Sequence, residues 1–232
     1  MITTRPAKER GSAHLGWLDS RHSFSFGHYY DAEHTGFGPL RVINEDWIRP
    51  GAGFPTHGHR DMEIITYVIE GALAHKDSTD GGSVIRPGDV QHMSAGTGIR
   101  HSEYNASDTE PVHLLQIWIA PDEDGLDPGY AEKHFDLDAG RGVLRLLASK
   151  DGRDGSLPLH QDADLYAARI SAGASLTHNP APGRKIWVQV VAGELTVNET
   201  PASAGDGLAV SGETEVILTA GADTEILLFD MA

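Results

Sequence analysis

Two pairs of residues in the first half of the sequence have the types and spacing that metal chemistry needs. His57 and His59 form one pair, and His101 and Glu103 form the other. Side chains alternate along a β-strand, so residues two positions apart point to the same face. Two such strands side by side would bring three imidazoles and one carboxylate together. This set of nitrogen and oxygen donors suits Fe(II), Mn, Co, Ni, Cu(II) or Zn.

The segments around these pairs have the patterns of short strands. Residues 63–70 and 112–119 are rich in β-branched and apolar side chains, which predicts buried strands. Turn clusters at 50–55 and 96–98 precede the two metal-ligand pairs, and we predict a hairpin loop over 77–82. With 27 glycines and 12 prolines, the composition favours short strands over long helices. The sequence therefore predicts an all-β protein.

Further residues are candidates for the surroundings of such a site. Gln116 is predicted to share a strand face with apolar neighbours, where an amide is costly unless it is hydrogen-bonded. It could orient a ligand, touch a substrate or make a purely structural hydrogen bond. The aromatic residues Phe24, Phe26, Tyr67 and Trp118 are candidate walls of a substrate pocket.

A weak internal repeat relates the two halves of the chain. Residues 186–191 resemble residues 64–69, and residues 225–230 resemble residues 114–119. Self-similarity at the scale of a domain indicates that one structural unit occurs twice. We therefore predict two similar small antiparallel β-barrels.

An acidic segment over residues 121–129 interrupts the strand pattern and indicates the boundary between the barrels. We predict an amino-terminal metal-binding domain over residues 1–132 and a carboxy-terminal domain over residues 133–232. Of the 13 histidines, only His160 and His178 follow residue 134. The second domain is therefore predicted to lack the metal site.

Composition and charge narrow the classes of function. The 232 residues include no cysteine, which excludes disulfides, zinc ribbons and iron–sulfur clusters. A formal net charge of −16 argues against direct binding to nucleic acid and makes a protein partner more plausible than DNA. The amino terminus has no secretory pattern and no apolar run is long enough for a membrane span. We expect a cytoplasmic protein without a membrane or nucleic-acid partner.

Several motifs resemble those of one family. Gly51, His57, His59 and Glu63 have the spacing of the first motif of the cupin superfamily, and residues 101–105 match the end of its second motif. A more specific resemblance, to the pirin family of that superfamily, rests on residues 94–103, 16–26, 41–46 and 151–156. Within the family, the chain is most similar to bacterial pirin-like quercetin 2,3-dioxygenases.

The resemblance implies a bicupin fold, with two double-stranded β-helix barrels and metal in the amino-terminal barrel only. It implies His57, His59, His101 and Glu103 as ligands, usually of iron. Other cupins take their carboxylate from the position of Glu63, whereas pirins take it from the position of Glu103. Both carboxylates are present, and we predict Glu103 as the ligand because it pairs with His101 as His59 pairs with His57.

The predicted function is a metal-dependent dioxygenase, with Fe(II) as the expected metal. It would use dioxygen to open the central ring of a flavonol such as quercetin, a small aromatic substrate, and would release carbon monoxide. Glu103 is the predicted catalytic base as well as a ligand. One alternative is a non-enzymatic, iron-binding regulatory module that binds a protein partner. Another is a cupin enzyme that acts on a different small substrate.

Overall fold

The computed structural model describes residues 1–79 and 82–232. Their strands, in chain order, are β1 (Ile2–Arg5), β2 (Gly11–His14), β3 (Leu18–His22), β4 (Leu40–Ile48), β5 (Gly53–His59), β6 (Glu63–Glu70), β7 (Leu73–Asp77), β8 (Gly82–Ile85), β9 (Asp89–Ser94), β10 (Ile99–Asn105), β11 (Val112–Ile119), β12 (Gly129–His134), β13 (Arg145–Ser149), β14 (Leu157–Pro158), β15 (Ala163–Ile170), β16 (Ser175–His178), β17 (Lys185–Ala192), β18 (Glu194–Val197), β19 (Thr200–Ser203), β20 (Gly207–Ser211), β21 (Val216–Ala220) and β22 (Thr224–Met231).

Helical structure in the described residues is limited to two 3₁₀ turns, Ala7–Glu9 and Arg153–Gly155. The prediction of an all-β protein is therefore confirmed. Within this part of the chain, none of the helical segments has the length and apolarity to cross a membrane. The hairpin loop predicted over residues 77–82 includes residues 80 and 81, which lie outside the described residues; β7 and β8 on either side of it pair antiparallel.

The described chain divides into two compact units. The first unit consists of Gly11–Phe135 and Leu159–Gln161, and the second consists of Met1–Arg10, Asp136–Pro158 and Asp162–Ala232. The first ten residues belong to the second unit because β1 pairs with β20 and forms the edge of that unit's seven-stranded sheet. Pairing at a sheet edge depends on hydrogen bonds between strands distant in sequence, so the composition of this segment does not reveal it.

Each unit contains two antiparallel or largely antiparallel sheets. Among the described residues of the first unit, a seven-stranded sheet has the order β12-β9-β6-β11-β4-β3-β2, and a four-stranded sheet has the order β5-β10-β7-β8. The second unit has a seven-stranded sheet, β1-β20-β17-β22-β15-β13-β14, and a four-stranded sheet, β16-β21-β18-β19, within the same described ranges. Over residues 1–79 and 82–232, no strand pairing joins the two sheets of either unit, so the barrels that we predicted are not closed by hydrogen bonds. Within each unit, side chains rather than strand pairing join the two sheets.

The apolar core of the first unit lies between its two sheets. Ile48, Val112 and Leu114 from the seven-stranded sheet meet Leu73 and Ile85 from the four-stranded sheet, and all five are almost fully buried. Burying each such side chain stabilises the fold by roughly 1.5–3 kcal/mol. This core fixes how the sheets face each other and thereby positions the polar residues that follow along the same strands.

The strands related by the internal repeat occupy equivalent places in the two seven-stranded sheets. The order β9-β6-β11-β4 in the first unit corresponds to β20-β17-β22-β15 in the second. Residues 64–69 lie in β6 and residues 186–191 in β17, while residues 114–119 and 225–230 lie in β11 and β22. The predicted duplication of one structural unit agrees with this topology.

Candidate metal centre

Three neighbouring strands of the four-stranded sheet carry the candidate ligands. In β10, His101 lies opposite His57 of β5 on one side and opposite Asp77 of β7 on the other. Two residues further along β10, Glu103 lies opposite His75 of β7. The sheet therefore places the polar pairs of three strands next to one another, whereas the sequence pattern predicted two such strands.

A bulge and a glycine set the fit of β5 against β10. The register between these strands shifts between His101 and Glu103, so that Glu103 lies opposite Phe54 instead of the residue two positions before His57. A Cβ atom at Gly53 would lie 2.2 Å from the backbone oxygen of Glu103, closer than atoms can approach. Glycine at position 53 thus allows the close contact that brings the two ligand-bearing strands together.

The imidazoles of His57, His59 and His101 converge. One ligand nitrogen from each lies within 4.8 Å of those from the other two, and the Nε2 atoms of His57 and His101 are 3.0 Å apart. The Nδ1 of His57 donates a hydrogen bond to the Pro55 carbonyl over 2.9 Å, which leaves the Nε2 lone pair free to bind a cation. A single shared proton can join only two of these three nitrogens, whereas a metal ion can bind all three.

Electrostatics keep two of these histidines in the form that binds metals. Burial lowers the pKa of His59 to about 4, and the neighbouring His57 contributes to this shift. Burial lowers the pKa of His101 to about 3, with further contributions from His57, His59 and His75. Both side chains are therefore neutral near pH 7, and a neutral imidazole is the metal-binding form. The donor set fits a divalent transition metal.

Glu103, the fourth predicted ligand, belongs to an adjoining group with His75 and His101. Its carboxylate, which is 3% exposed, accepts hydrogen bonds from Gln116 at 3.1 and 3.2 Å and from Thr66 at 3.4 Å. Burial raises the pKa of Glu103 to about 7, although the hydrogen bond from Gln116 opposes this shift. The structure thus brings the three histidines together and places Glu103 beside His101 as a carboxyl group that can gain or lose a proton near neutral pH.

His75, which the sequence argument overlooked, has other partners. Its Nε2 is 3.0 Å from the Asp77 carboxylate, and its Nδ1 is 3.2 Å from the side-chain nitrogen of Gln91. Because both ring nitrogens are engaged, His75 supports the site rather than competing for the metal. The signal in the sequence was the spacing of His75 and Asp77, which is the same two-residue spacing as in the ligand pairs.

Glu63 takes part in a separate buried cluster. Its oxygens accept hydrogen bonds from His92 at 2.8 Å, from Ser94 at 2.6 Å and from the backbone N–H of His160 at 3.1 Å. Burial alone would raise the pKa of Glu63, but the hydrogen bonds and charge of His92 and the bond from Ser94 outweigh it and lower the pKa to about 2. In the described residues, neither convergent ligand group includes Glu63.

A row of polar residues crosses the inner face of the seven-stranded sheet opposite these groups. Cross-strand pairing aligns Gln91, Thr66, Gln116, Asn44 and His22, with one residue on each of five adjacent strands. Gln116 and Thr66 bind Glu103, and Gln91 binds His75. The amide of Gln116, whose role the sequence left open, therefore orients a candidate ligand.

A cavity of about 490 Å³ opens onto the three imidazoles, a volume typical of small-molecule sites. Phe26, Phe54 and Trp118 line it, and Trp118 packs edge-on against His59 with ring centroids 4.9 Å apart. Two of the predicted wall residues, Phe26 and Trp118, thus line the cavity. The other two, Phe24 and Tyr67, are buried in the fold and are not among its lining residues in the described chain.

Asn44 and Asp46 also line the cavity, and sequence reasoning missed both. They stand two positions apart on β4, so they share its inner face. Burial raises the pKa of Asp46 to about 6, although a hydrogen bond from Ser20 opposes this shift. The signal in the sequence was again a pair of polar residues two positions apart, on a strand face whose flanking residues Val42 and Ile48 are apolar.

The fold and the site together define a protein of two cupin domains with a candidate metal centre in the first unit. Residues 3–119 match the Pirin family, and residues 146–231 match the quercetinase C-terminal cupin domain. The chain therefore belongs to the pirin family, as the motifs predicted.

Several relatives are similar over their whole length. The chain is 50% identical over 231 residues to quercetin 2,3-dioxygenase of Escherichia coli strain K12, covering 100% of this chain and 99% of the relative. It is 40% identical over 233 residues to a pirin-like protein of Caulobacter vibrioides, covering 100% of both chains. A crystal structure of the bacterial pirin YhhW from Escherichia coli in complex with nickel(II) superimposes with a TM-score of 0.95 at 49% identity, covering 100% of this chain and 99% of that one.

Proposed function

We propose that this protein is a metal-dependent dioxygenase of the pirin type that opens the central ring of a flavonol such as quercetin and releases carbon monoxide. One observation carries the proposal: three convergent imidazoles face an aromatic-walled cavity, with a buried carboxyl group beside them. The relatives named quercetin 2,3-dioxygenase support the choice of substrate. The proposal includes a single metal site, in the first unit only, and a cytoplasmic location.

His57, His59 and His101 would hold the metal, with Glu103 as the fourth ligand. Fe(II) is the expected ion, and the nickel(II) complex of a related pirin supports a divalent transition metal. When bound, such an ion would lower the pKa of a substrate hydroxyl group and would supply the redox chemistry of the reaction with dioxygen.

Glu103 is the residue proposed to move the proton of the flavonol 3-hydroxyl. As a metal ligand Glu103 would be ionised, because a cation favours the charged form of a carboxyl group, and Oε1 or Oε2 could then accept a proton. Gln116 and Thr66 hold these oxygens in a defined orientation through hydrogen bonds. The protein thus positions the base before the substrate arrives, which removes part of the entropic cost of proton transfer.

The cavity walls are proposed to orient the aromatic rings of the substrate. Phe26 and Trp118 pack edge-to-face with ring centroids 5.4 Å apart, and Phe54 lies beside His57. Apolar walls favour a flat aromatic ligand and exclude water from the reacting atoms.

The test is aerobic turnover of quercetin by protein reloaded with Fe(II), followed by loss of the flavonol absorbance and by release of carbon monoxide. We expect turnover by the wild type and by His14→Ala, which changes an exposed histidine, and none by His101→Ala. Reloading with Ni(II) in parallel shows which metal supports the reaction. If metal-loaded wild-type protein consumes neither quercetin nor dioxygen, the dioxygenase proposal is wrong and the regulatory module becomes the better explanation.

A further inference from the structure

The inner face of β4 presents a second polar patch to the cavity, apart from the candidate ligands. Asn44 is 3% exposed and Asp46 is 4% exposed, and both line the cavity. The two residues are buried polar groups on a strand whose next inward-facing residue, Ile48, belongs to the apolar core. Buried polar groups in native proteins are almost always hydrogen-bonded, so the partners of these two residues indicate what they do.

Three members of the polar row, Gln91, Thr66 and Gln116, are hydrogen-bonded to residues of the candidate metal centre, but Asn44 is not. Gln116, its cross-strand neighbour, binds Glu103, and Gln91 binds His75. In contrast, no residue of the described chain is hydrogen-bonded to the amide of Asn44, and its Oδ1 is buried without a partner. A buried amide without a partner costs free energy unless a ligand or a water molecule satisfies it.

Asp46 is only partly satisfied by the protein. Its Oδ1 accepts a hydrogen bond from Ser20, its cross-strand neighbour, whereas its Oδ2 has no partner among the described residues. Asp46 therefore offers a free acceptor, and the Nδ2 of Asn44 offers a donor on the same face of the strand. The two side chains start from Cα atoms about 6–7 Å apart, close enough to bind neighbouring substituents of one ring.

We propose that Asn44 and Asp46 form a subsite that recognises hydroxyl groups of the substrate other than the one directed at the metal. This inference rests on the proposed function and deepens it by naming the residues that would distinguish polyhydroxylated flavonols from those with the C3 hydroxyl group alone. A hydroxyl group fits both residues because it can donate to the Asp46 carboxylate and accept from the Asn44 amide.

The charge of the cavity supports hydroxyl groups over anionic substituents. Of the described residues that line the cavity, none is a lysine or arginine, and Asp46 and Glu103 are both acidic. A substrate carboxylate or phosphate placed beside Asp46 would be repelled by that carboxylate, because no lysine or arginine side chain of the described lining is there to pair with it. A neutral phenol avoids this repulsion and still supplies the missing hydrogen bonds.

Binding to the metal-loaded protein without dioxygen tests the subsite independently of turnover. We would compare quercetin with 3-hydroxyflavone, which has no hydroxyl group besides that at C3, by isothermal titration calorimetry. One or two additional hydrogen bonds predict that quercetin binds about tenfold more tightly to the wild type. Equal affinity for the two flavonols would overturn the inference without any substitution in the protein.

Substitutions of Asn44 and Asp46 test whether these two residues cause the preference for quercetin. We expect Asn44→Leu, which has similar volume but no polar atoms, to weaken quercetin binding about three- to tenfold and to reduce the preference over 3-hydroxyflavone. Asp46→Asn should also reduce that preference. Asn179→Leu makes the same chemical change at an exposed position of the second unit and should leave the preference at the wild-type value. Thermal unfolding of each variant shows whether the fold is retained.

The outcomes separate this inference from the proposed function. A preference for quercetin that Asn44→Leu reduces supports the subsite even if the aerobic assay detects no turnover, in which case only the proposed reaction fails. A preference that persists in both Asn44→Leu and Asp46→Asn shows that these residues bind only water, which overturns the subsite while leaving the dioxygenase proposal intact. Failure of the metal-loaded wild type to bind either flavonol overturns the subsite.

Discussion

Gln116 donates hydrogen bonds from its Nε2 to both carboxylate oxygens of Glu103, over 3.2 and 3.1 Å. Gln116 lies on β11 of the seven-stranded sheet, and Glu103 lies on β10 of the four-stranded sheet. This contact joins the two sheets of the first unit at the candidate site. It also opposes the effect of burial on Glu103, because hydrogen bonds donated to a carboxylate favour its ionised form.

Replacing Gln116 should therefore raise the pKa of Glu103 above its value of about 7. In Gln116→Leu, less Glu103 is ionised at pH 7, so the acid limb of the pH profile of flavonol turnover should move to higher pH. At a given acidic pH, the ionised fraction of a carboxyl group falls about tenfold when its pKa rises by about one. Carbon-13 NMR of labelled glutamate in the metal-free protein measures the pKa directly.

Gln189→Leu is the matched control for this prediction. Gln189 is a buried glutamine of the second unit that donates hydrogen bonds to the backbone oxygens of Gly205 and Asp206. Its loss should destabilise the protein without moving the pH profile. An unchanged pKa of Glu103 in Gln116→Leu would show that the contact has no electrostatic role.

Removal of any one imidazole of the convergent group should reduce metal binding. We expect His57→Ala, His59→Ala and His101→Ala to contain much less metal than the wild type after the same reloading, because each supplies one of three close nitrogens. Inductively coupled plasma mass spectrometry measures the content. A ligand at a hundredfold excess over its Kd stabilises a fold by about 2.7 kcal/mol, so the variants should also lose the thermal stabilisation that metal confers.

His14→Ala, at an exposed position, should keep both the metal and the stabilisation. Wild-type metal content in all three variants of the convergent group would contradict the site.

The two candidate carboxylates should differ in their effect on metal. Glu103 adjoins His101, whereas hydrogen bonds from His92, Ser94 and His160 engage Glu63. We expect Glu63→Gln to bind as much metal per chain as the wild type does. We expect Glu103→Gln to bind metal more weakly and to lose turnover. Titration of the metal-free proteins with Co(II), followed by its visible absorption, compares the affinities. A larger loss of affinity in Glu63→Gln would identify Glu63 as the ligand, as in other cupins.

Glu63 should instead control stability in acid. Its pKa falls from 4.5 in the unfolded chain to about 2 in the fold, so its ionised form is stabilised by about 3 kcal/mol. This contribution is complete above pH 4.5 and disappears as the pH falls towards 2. Urea unfolding at a series of pH values should show a loss of stability over this range, and Glu63→Gln should show a smaller loss.

Glu123→Gln changes an exposed glutamate and should retain the pH dependence of the wild type. The same acid-induced loss in Glu63→Gln and in the wild type would assign the effect to other carboxylates.

The strands that carry the ligands were largely predictable from local patterns. The expected strands over residues 63–70 and 112–119 coincide with β6 and β11. Runs of β-branched and apolar residues favour the strand conformation because their side chains pack well on the surface of a sheet. The spacing of His57 and His59, and of His101 and Glu103, also placed each pair on one strand face. These features depend on residues that are close in sequence.

The surroundings of the ligands were not predictable in the same way. His75 reaches the site because β7 lies on the other side of β10 from β5, and the local pattern does not specify which strands become neighbours. Glu103 meets Gln116 only because the two sheets face each other. The hydrogen bonds from His92 and His160 to Glu63 likewise join residues that are distant in the sequence of the first unit.

The sequence by itself determined the all-β class, the duplicated unit, the family and the residue pairs with metal-binding chemistry. Alternation along a strand and turn chemistry are local properties, and a motif is a feature of the sequence itself. Only the tertiary structure decided that Glu103 joins a second group, which shares His101 with the three convergent imidazoles. It also decided that burial moves the pKa of Glu103 towards 7 and that Asn44 and Asp46 face the cavity. Burial and hydrogen-bond partners depend on contacts between distant strands, which exist only once the two sheets have packed together.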